Sequence, residues 1–333
     1  MAELFAYLDG FGAGGSLTKS ILIVTAPTGS TVTVTKGSTT KTAMEKNGEW
    51  WFKNLENGEW TIRAELDGKN ATETYNIARF GVYRKTISYR MTPEFTYTGD
   101  YEIVQDDDTP IADFASWKGN WKIRFLTSGD FTITNMHGFA GGGVIDVFLV
   151  GAGGSGGNGV WHDGYVQPNV RAGGAGGGYT KTQKNVPVIS NTKYSVVIGS
   201  GAIPKVSGSE GTDGGSTSAF SVDAAGGHGT KKTGHGAQGG DGGSGGGNSG
   251  YAGATDGNGG TNAGQGQGTT TKEFAEATGK LYASGGSGAS KANGQPNTGD
   301  GGSGGAYKDT SGGTKSSGGS GGSGIVVIRN TRT

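Results

Sequence analysis

Glycine is spread so unevenly along this chain that it limits what more than half of it can become. Of 72 glycines in 333 residues, 14 precede residue 141 and 58 lie from residue 141 onward. Ordering a glycine costs roughly 0.5–1 kcal/mol more than ordering an alanine. Over the glycines after residue 141 that amounts to about 30–60 kcal/mol, several times a domain stability of about 5–15 kcal/mol. Either this region is a flexible linker, or side chains are missing because main chains must touch.

The second option has a definite geometry. A polyproline II helix has three residues per turn and no internal hydrogen bonds, so its N–H and C=O groups need partners outside it. Such helices can bond laterally if glycine occupies every buried edge. The sequence carries the matching period in places. Asp241, Ser244 and Gly247 are each separated by Gly-Gly, as are Asp300, Ser303 and Ala306, and again Ser317, Ser320 and Ser323. In this arrangement the third residue is expected on an outer face. Collagen is excluded, because sustained Gly-X-Y is absent and there are 7 prolines in all. A linker is disfavoured by apolar strands embedded among the glycines: Val144–Val150, Tyr194–Ile198, Phe220–Ala225 and Ile325–Ile328. These predict a β-frame whose insertions are glycine helices.

Upstream the pattern is different. From Ser20 to Met91, seven short strands at about 8–12-residue spacing, with Asn47–Gly48, Asn57–Gly58 and Asp67–Gly68 as turn signals, predict a β-sandwich. Within it Trp60, Ile62, Ala64 and Leu66 share one face. Phe95–Val104, Trp117–Phe125 and Phe131–Thr134 are expected strands of a second small β module. The fold class is therefore mainly β with almost no α-helix. The divisions are 1–19, 20–91 (sandwich), 92–140 (β-rich connector) and 141–333 (glycine-rich domain). Trp50, Trp51, Trp60, Trp117 and Trp121 are expected in cores or between modules.

Charge and motifs exclude several functions. Lys+Arg and Asp+Glu are both 28, which argues against nucleic acid and against docking on anionic lipid. No apolar run approaches the roughly 18 residues that span a bilayer. Met1–Ser20 lacks the basic and apolar regions of a secretory signal. There is no cysteine, hence no disulfide and no thiolate site. A virion protein, made in a bacterial cytoplasm and released by lysis, fits both absences. The four histidines show no zinc spacing, no phosphate-binding glycine loop is present, and no catalytic triad or carboxylate pair emerges. Asp106–Asp108 reads as a solvated acidic loop rather than a metal site. The expectation is a protein without enzymatic activity, cofactor or metal.

Aromatic side chains stranded among glycines are the candidate contact residues. They are Trp161, His162 and Tyr165 in the long insertion Asn158–Arg171, with Tyr251, Phe274, Tyr282 and Tyr307 elsewhere. Exposed aromatics offer large contact area at low entropic cost and stack on sugars or proteins. The competing reading is that they plug the ends of the β-frame, most of all Phe274, since Lys272–Thr278 has room for one helical turn.

Several blocks in order resemble the glycine-rich domain of phage tail fibres and related adhesins: Val144–Gly159 (VIDVFLVGAGGSGGNG), Gly176–Thr180, Tyr194–Gly201, Gly214–Phe220, Ala224–Gly227 and the closing Gly324–Arg329 (GIVVIR). The stretch Phe95–Phe148, with Tyr97–Thr98–Gly99 and Trp121–Lys122–Ile123, is similar to what often precedes that domain. Ser20–Tyr89 resembles small Ig-like or carboxypeptidase-regulatory-like modules of phages that infect Gram-positive bacteria. The resemblance implies a virion tail protein whose glycine domain packs polyproline II helices and presents loops to the host. It implies attachment to other tail or baseplate proteins through the N-terminal region, and a host polysaccharide, teichoic acid or surface protein as receptor. A homotrimer is a further expectation of such fibres. The alternative is a structural tail component that binds only other virion proteins.

Overall fold

The computed structural model describes residues 19–66, 69–87, 92–117, 119–135, 143–159, 172–205, 210–231, 238–248, 251–258, 264–288, 290–305, 307–308, 314–315 and 317–330. It divides into two compact units, Met1–Pro93 with Ala115–Lys118, and Glu94–Phe114 with Gly119–Thr333.

Among the described residues the first unit holds eight strands: β1 (Ser20–Thr25), β2 (Thr31–Lys36), β3 (Thr39–Thr42), β4 (Glu45–Lys46), β5 (Glu49–Leu55), β6 (Gly58–Leu66), β7 (Lys69–Ile77) and β8 (Val82–Thr86). They form two four-stranded sheets, β4-β5-β1-β8 and β3-β2-β6-β7. The alternation in the sequence decides the faces. In TVTVTK the valines Val32 and Val34 are buried, opposite Ala64 and Ile62 of β6. Leu22, Val24, Trp50 and Phe52 of the first sheet meet Val32, Val34, Trp60 and Ile62 of the second in one core. Asn47 and Gly48 both have left-handed φ, 55° and 75°, the conformation a type I′ hairpin turn requires between β4 and β5. Gly37 and Ser38 alone link β2 to β3.

The second unit contains β9 (Glu94–Tyr97), β10 (Tyr101–Val104), β11 (Lys122–Phe125), β12 (Gly129–Asn135), β13 (Val144–Val150), β14 (Thr180–Pro187), β15 (Lys193–Val197), β16 (Thr217–Ala219), β17 (Val222–Ala224), the two-residue pair β18 (Tyr307–Lys308) and β19 (Thr314–Lys315), and β20 (Ile325–Asn330). Two five-stranded sheets result, β10-β11-β20-β13-β14 and β17-β16-β15-β12-β9. Aromatic rings fill the space between them: Phe125 stands edge-on to Phe131 at 5.1 Å, and Phe131 to Phe220 at 5.9 Å. On its other face the first sheet packs Phe148, Val150 and Val327 against Phe274, Tyr282 and Ala283.

This architecture corrects the separate 92–140 module. Its strands are split between the two sheets, β10 and β11 beside β20, and β9 and β12 beside β15. The composition changes at 141 but the fold does not, because strands this short bury their apolar faces only inside larger sheets. The continuous strand expected over Phe95–Val104 is likewise two strands in different sheets, divided at Thr98–Asp100.

The glycine tracts are inserted between strands of this frame and are ordered by one another. Their hydrogen bonds rotate among neighbours with a period of three. The N–H groups of Gly151, Gly154 and Gly157 donate to the carbonyls of Tyr179, Gly176 and Gly173. Those of Ala152 and Ser155 donate to Gly215 and Thr212, and those of Gly153 and Gly156 to Gly322 and Gly319. Residues 172–179 are enclosed on all sides, bonded to segments 151–157, 225–228, 240–243, 244–247, 286 and 299–305. Three N–H directions and three C=O directions per turn let such a segment bond to several neighbours, so most polar groups of its main chain find partners.

Such an array leaves no room for side chains at its contacts. A Cβ on Gly178 would lie 1.8 Å from the Gly151 carbonyl oxygen, and one on Gly177 2.0 Å from that of Ala283. The third position of the repeat is not uniformly outward as expected. Ser317 is exposed, but Ser244 and Ser303 are buried. Their hydroxyls accept hydrogen bonds from the N–H groups of Gly257 and Ser287, which explains why serine is tolerated inside.

Candidate functional site

The direction of each glycine segment sorts the connections into two ends. At one end the segments join the frame strands, at 150–151, 179–180, 216–217, 224–225 and 324–325. At the other end they turn back. Ala172 N–H bonds to Gly305 O, Gly305 N–H to Gly157 O, and Gly318 N–H to Asn158 Oδ1. Lys231 N–H reaches Gln238 O, Gly239 N–H reaches Asn248 Oδ1, and Gly288 N–H reaches Tyr251 O. Asn158 also donates to Lys205 O at 2.6 Å. Six connections, 159–172, 205–210, 231–238, 248–251, 288–290 and 305–317, therefore leave from one tip.

Of the candidate aromatics, Tyr251 is described at the tip and two others are excluded from it. Tyr251 stands there 60 % exposed. Trp161, His162 and Tyr165 belong to the connection that leaves after Gly159 and returns at Ala172, and they lie outside the described residues. Tyr307 lies in the 305–317 connection, in β18 paired with Lys315; its side chain is also outside the described set. Phe274 and Tyr282 are corrected. They are 2 % and 1 % exposed and pack on Phe148 at 5.8 and 5.5 Å, so they plug the frame and are not available to a receptor. The turn at Phe274 is not helical in its dihedrals. Glu273–Ala275 is a 3-10 turn in which Phe274 and Ala275 have φ of 53° and 57°, a conformation that β-carbon-bearing residues adopt only under constraint. Sequence reasoning did not single out Ile203, which is 76 % exposed and precedes the 205–210 connection; a lone isoleucine beside Pro204 carries no signal.

The constraint at Phe274 is a buried ion network. In KIRF, Lys122 and Arg124 alternate with Ile123 and Phe125, so both cations point away from the inter-sheet core. Lys122 sits opposite Arg329 on β20, and Arg329 opposite Asp146 on β13. Lys122 Nζ reaches Glu273 at 2.6 Å and Asp108 at 2.7 Å, and Arg124 pairs with Asp108. Arg329 bonds Asp146 at 3.2 Å and Glu276 at 2.7 Å, and lies 4.0 Å over the Phe274 ring. Of these groups Asp108, Lys122, Glu273, Glu276 and Arg329 line a cavity of about 390 Å³. Burial works against the Asp108 carboxylate, but hydrogen bonds from Arg124 and Lys122 outweigh it and hold the carboxyl below its ordinary value. Burial pushes the Tyr282 phenol up, and the Glu273 carboxylate adds to this. The acidic run read as a solvated loop is thus an anchor at Asp108. A sequence clue existed: charged residues alternating with apolar ones in a strand flanked by tryptophan.

A comparison with curated proteins returns no match. The model of the glycine-rich domain family matches residues 127–331, a stretch that begins just before β12, runs through the whole array and ends at β20. This is more than half of the chain, and the chain belongs to the glycine-rich domain family.

Proposed function

We propose that this chain is a phage tail protein that mediates host-surface recognition through the tip of its glycine-rich domain. The observation that supports the reading is the gathering of six connections at the end opposite the β-frame. A hydrogen-bonded array that carries several connections to one extremity has the geometry of a recognition surface. On this reading the glycine segments are polyproline II helices, a description favoured by the three-residue period of their bonding. The N-terminal sandwich is an Ig-like spacer that tethers the domain to other tail or baseplate proteins. The partner is a host polysaccharide or surface protein, the role is binding rather than catalysis, and the protein resides in the virion.

The test is adsorption of particles to host cells. Replacing Trp161, Tyr165 and Tyr251 together with alanine should abolish adsorption while the melting profile of the purified protein stays unchanged. Unchanged adsorption would rule the tip out as the receptor site and favour a purely structural tail component.

A further inference from the structure

The N-terminal sandwich contains a cleft whose charge the rest of the chain does not explain. It is about 380 Å³ in volume and is lined by Lys19, Lys36, Thr39, Lys41, Asn54, Glu56 and Trp60. The chain as a whole is neutral, yet three lysines converge here on one carboxylate. Lys19 Nζ pairs with Glu56 at 3.0 Å. Lys36 Nζ donates to the backbone carbonyl of Asn57, and Lys41 Nζ to those of Lys53 and Asn54 at 3.1 and 2.9 Å. Among the described residues, neither Lys36 nor Lys41 has a carboxylate in ion-pair contact. Their ammonium groups are held in position by neutral carbonyl oxygens, and one carboxylate, Glu56, lines the cleft with all three lysines. Glu56 registers the resulting field: a hydrogen bond from Lys19 and the charges of Lys19, Lys36 and Lys41 hold its carboxyl below the ordinary value.

We propose that this cleft is an anion site that takes a phosphate-bearing ligand. Each ammonium has three N–H donors. With the bonds above subtracted, Lys19 and Lys36 retain two each and Lys41 one. Such a set suits a phosphate, which offers several oxygens around one centre. A planar carboxylate is matched better by the guanidinium fork that this cleft lacks. The Thr39 hydroxyl adds a neutral donor, and the edge of Trp60, whose indole N–H is engaged by Glu56 O at 2.9 Å, supplies an apolar wall. Glu56 limits affinity, because its negative charge faces the same space. The site does not depend on the tip and is assayed without host cells, so its failure leaves the adhesin reading untouched.

Calorimetric titration of the full chain with inorganic phosphate and with poly(glycerol phosphate) tests the site, acetate serving as the control anion. Saturable binding of one phosphate group per chain is expected. The double variant Lys36→Gln/Lys41→Gln should weaken it at least tenfold, and Lys181→Gln/Lys184→Gln, the same charge change on exposed lysines of β14 in the second unit, should leave it unchanged. Glu56→Gln should tighten it severalfold, a gain that a merely structural role does not produce and that needs no destabilising variant. Stronger binding of the polymer marks a phosphodiester source, and binding of inorganic phosphate alone marks a free-phosphate source. Equal loss in both lysine pairs, equal competition by acetate, or weaker binding in Glu56→Gln overturns the proposal.

Discussion

Gly174→Ala probes the physical claim on which the array rests. The N–H of Gly174 donates to Gly247 O at 2.9 Å and its carbonyl accepts from Gly240 at 3.0 Å, while the adjacent Ala175 carbonyl accepts from Gly286 at 2.8 Å. A Cβ at residue 174 would lie 1.9 Å from the Gly286 carbonyl oxygen. Ordinary contact lies near 3.4 Å, so one main chain must retreat by about 1.5 Å in a region without flexible side chains to yield. Three hydrogen bonds are stretched beyond use. A buried donor or acceptor left unsatisfied costs about 1–3 kcal/mol, which gives about 3–9 kcal/mol against a stability of about 5–15 kcal/mol. Gly268→Ala is the matched control, because its Cβ would meet nothing within 4 Å while its φ is +77°; the cost there is about 1–2 kcal/mol for the left-handed conformation alone. Chemical unfolding followed by hydrogen exchange of the amides in 172–179 reads both variants. If Gly174→Ala costs no more than Gly268→Ala, the close-contact account of the glycines is wrong. A flexible region would show the opposite sign, since Gly→Ala then stabilises by about 0.4–1 kcal/mol through the unfolded state.

The ion network yields two more predictions. Glu273→Ala removes the buried partner of Lys122 and should cost about 3 kcal/mol, the lower end for breaking a buried pair because Asp108 remains 2.7 Å away; denaturant unfolding of the second unit measures it. Asp108, whose carboxyl is lowered in the folded state, contributes stability above its unfolded value of about 3.9 and loses it as pH falls through the lower folded value. The difference in melting temperature between the native protein and Asp108→Asn should therefore be constant at neutral pH and shrink below about pH 4; a difference that grows on acidification refutes the assignment.

Apolar alternation made the frame legible and polarity hid part of it. Val144–Val150 is predicted to the residue, and Ile325–Ile328 falls inside β20. The strand β14, TKTQKNVP, was not anticipated, since an edge strand with one buried valine has no periodic signal. β16 escaped as well, being three residues long and flanked by a turn at Phe220 and Ser221 with φ of 52° and 61°, residues no turn rule favours there. The period-three bonding was foreseeable from Gly-Gly-X, yet Ser244 and Ser303 show that a small hydroxyl passes for glycine where it finds a main-chain donor. Two of the candidate aromatics were misplaced for the same reason in reverse. A glycine-rich neighbourhood looks exposed in sequence, but around Phe274 and Tyr282 it lies against the sheet.

The position of β20 sets a schedule for synthesis. It occupies the middle of its sheet between β11 and β13, although its Arg329 is 183 residues from Asp146, its cross-strand partner. At a translation rate of about 5–20 residues per second, VIDVFLV emerges on the order of 10–40 s before the strand that covers its edge. Throughout that interval one of the most apolar segments of the molecule presents unpaired amides, the condition under which nascent chains pair with each other instead of with themselves. Production of this protein is thus expected to depend on what shields that edge while the ribosome finishes, and slower translation should favour aggregation rather than folding.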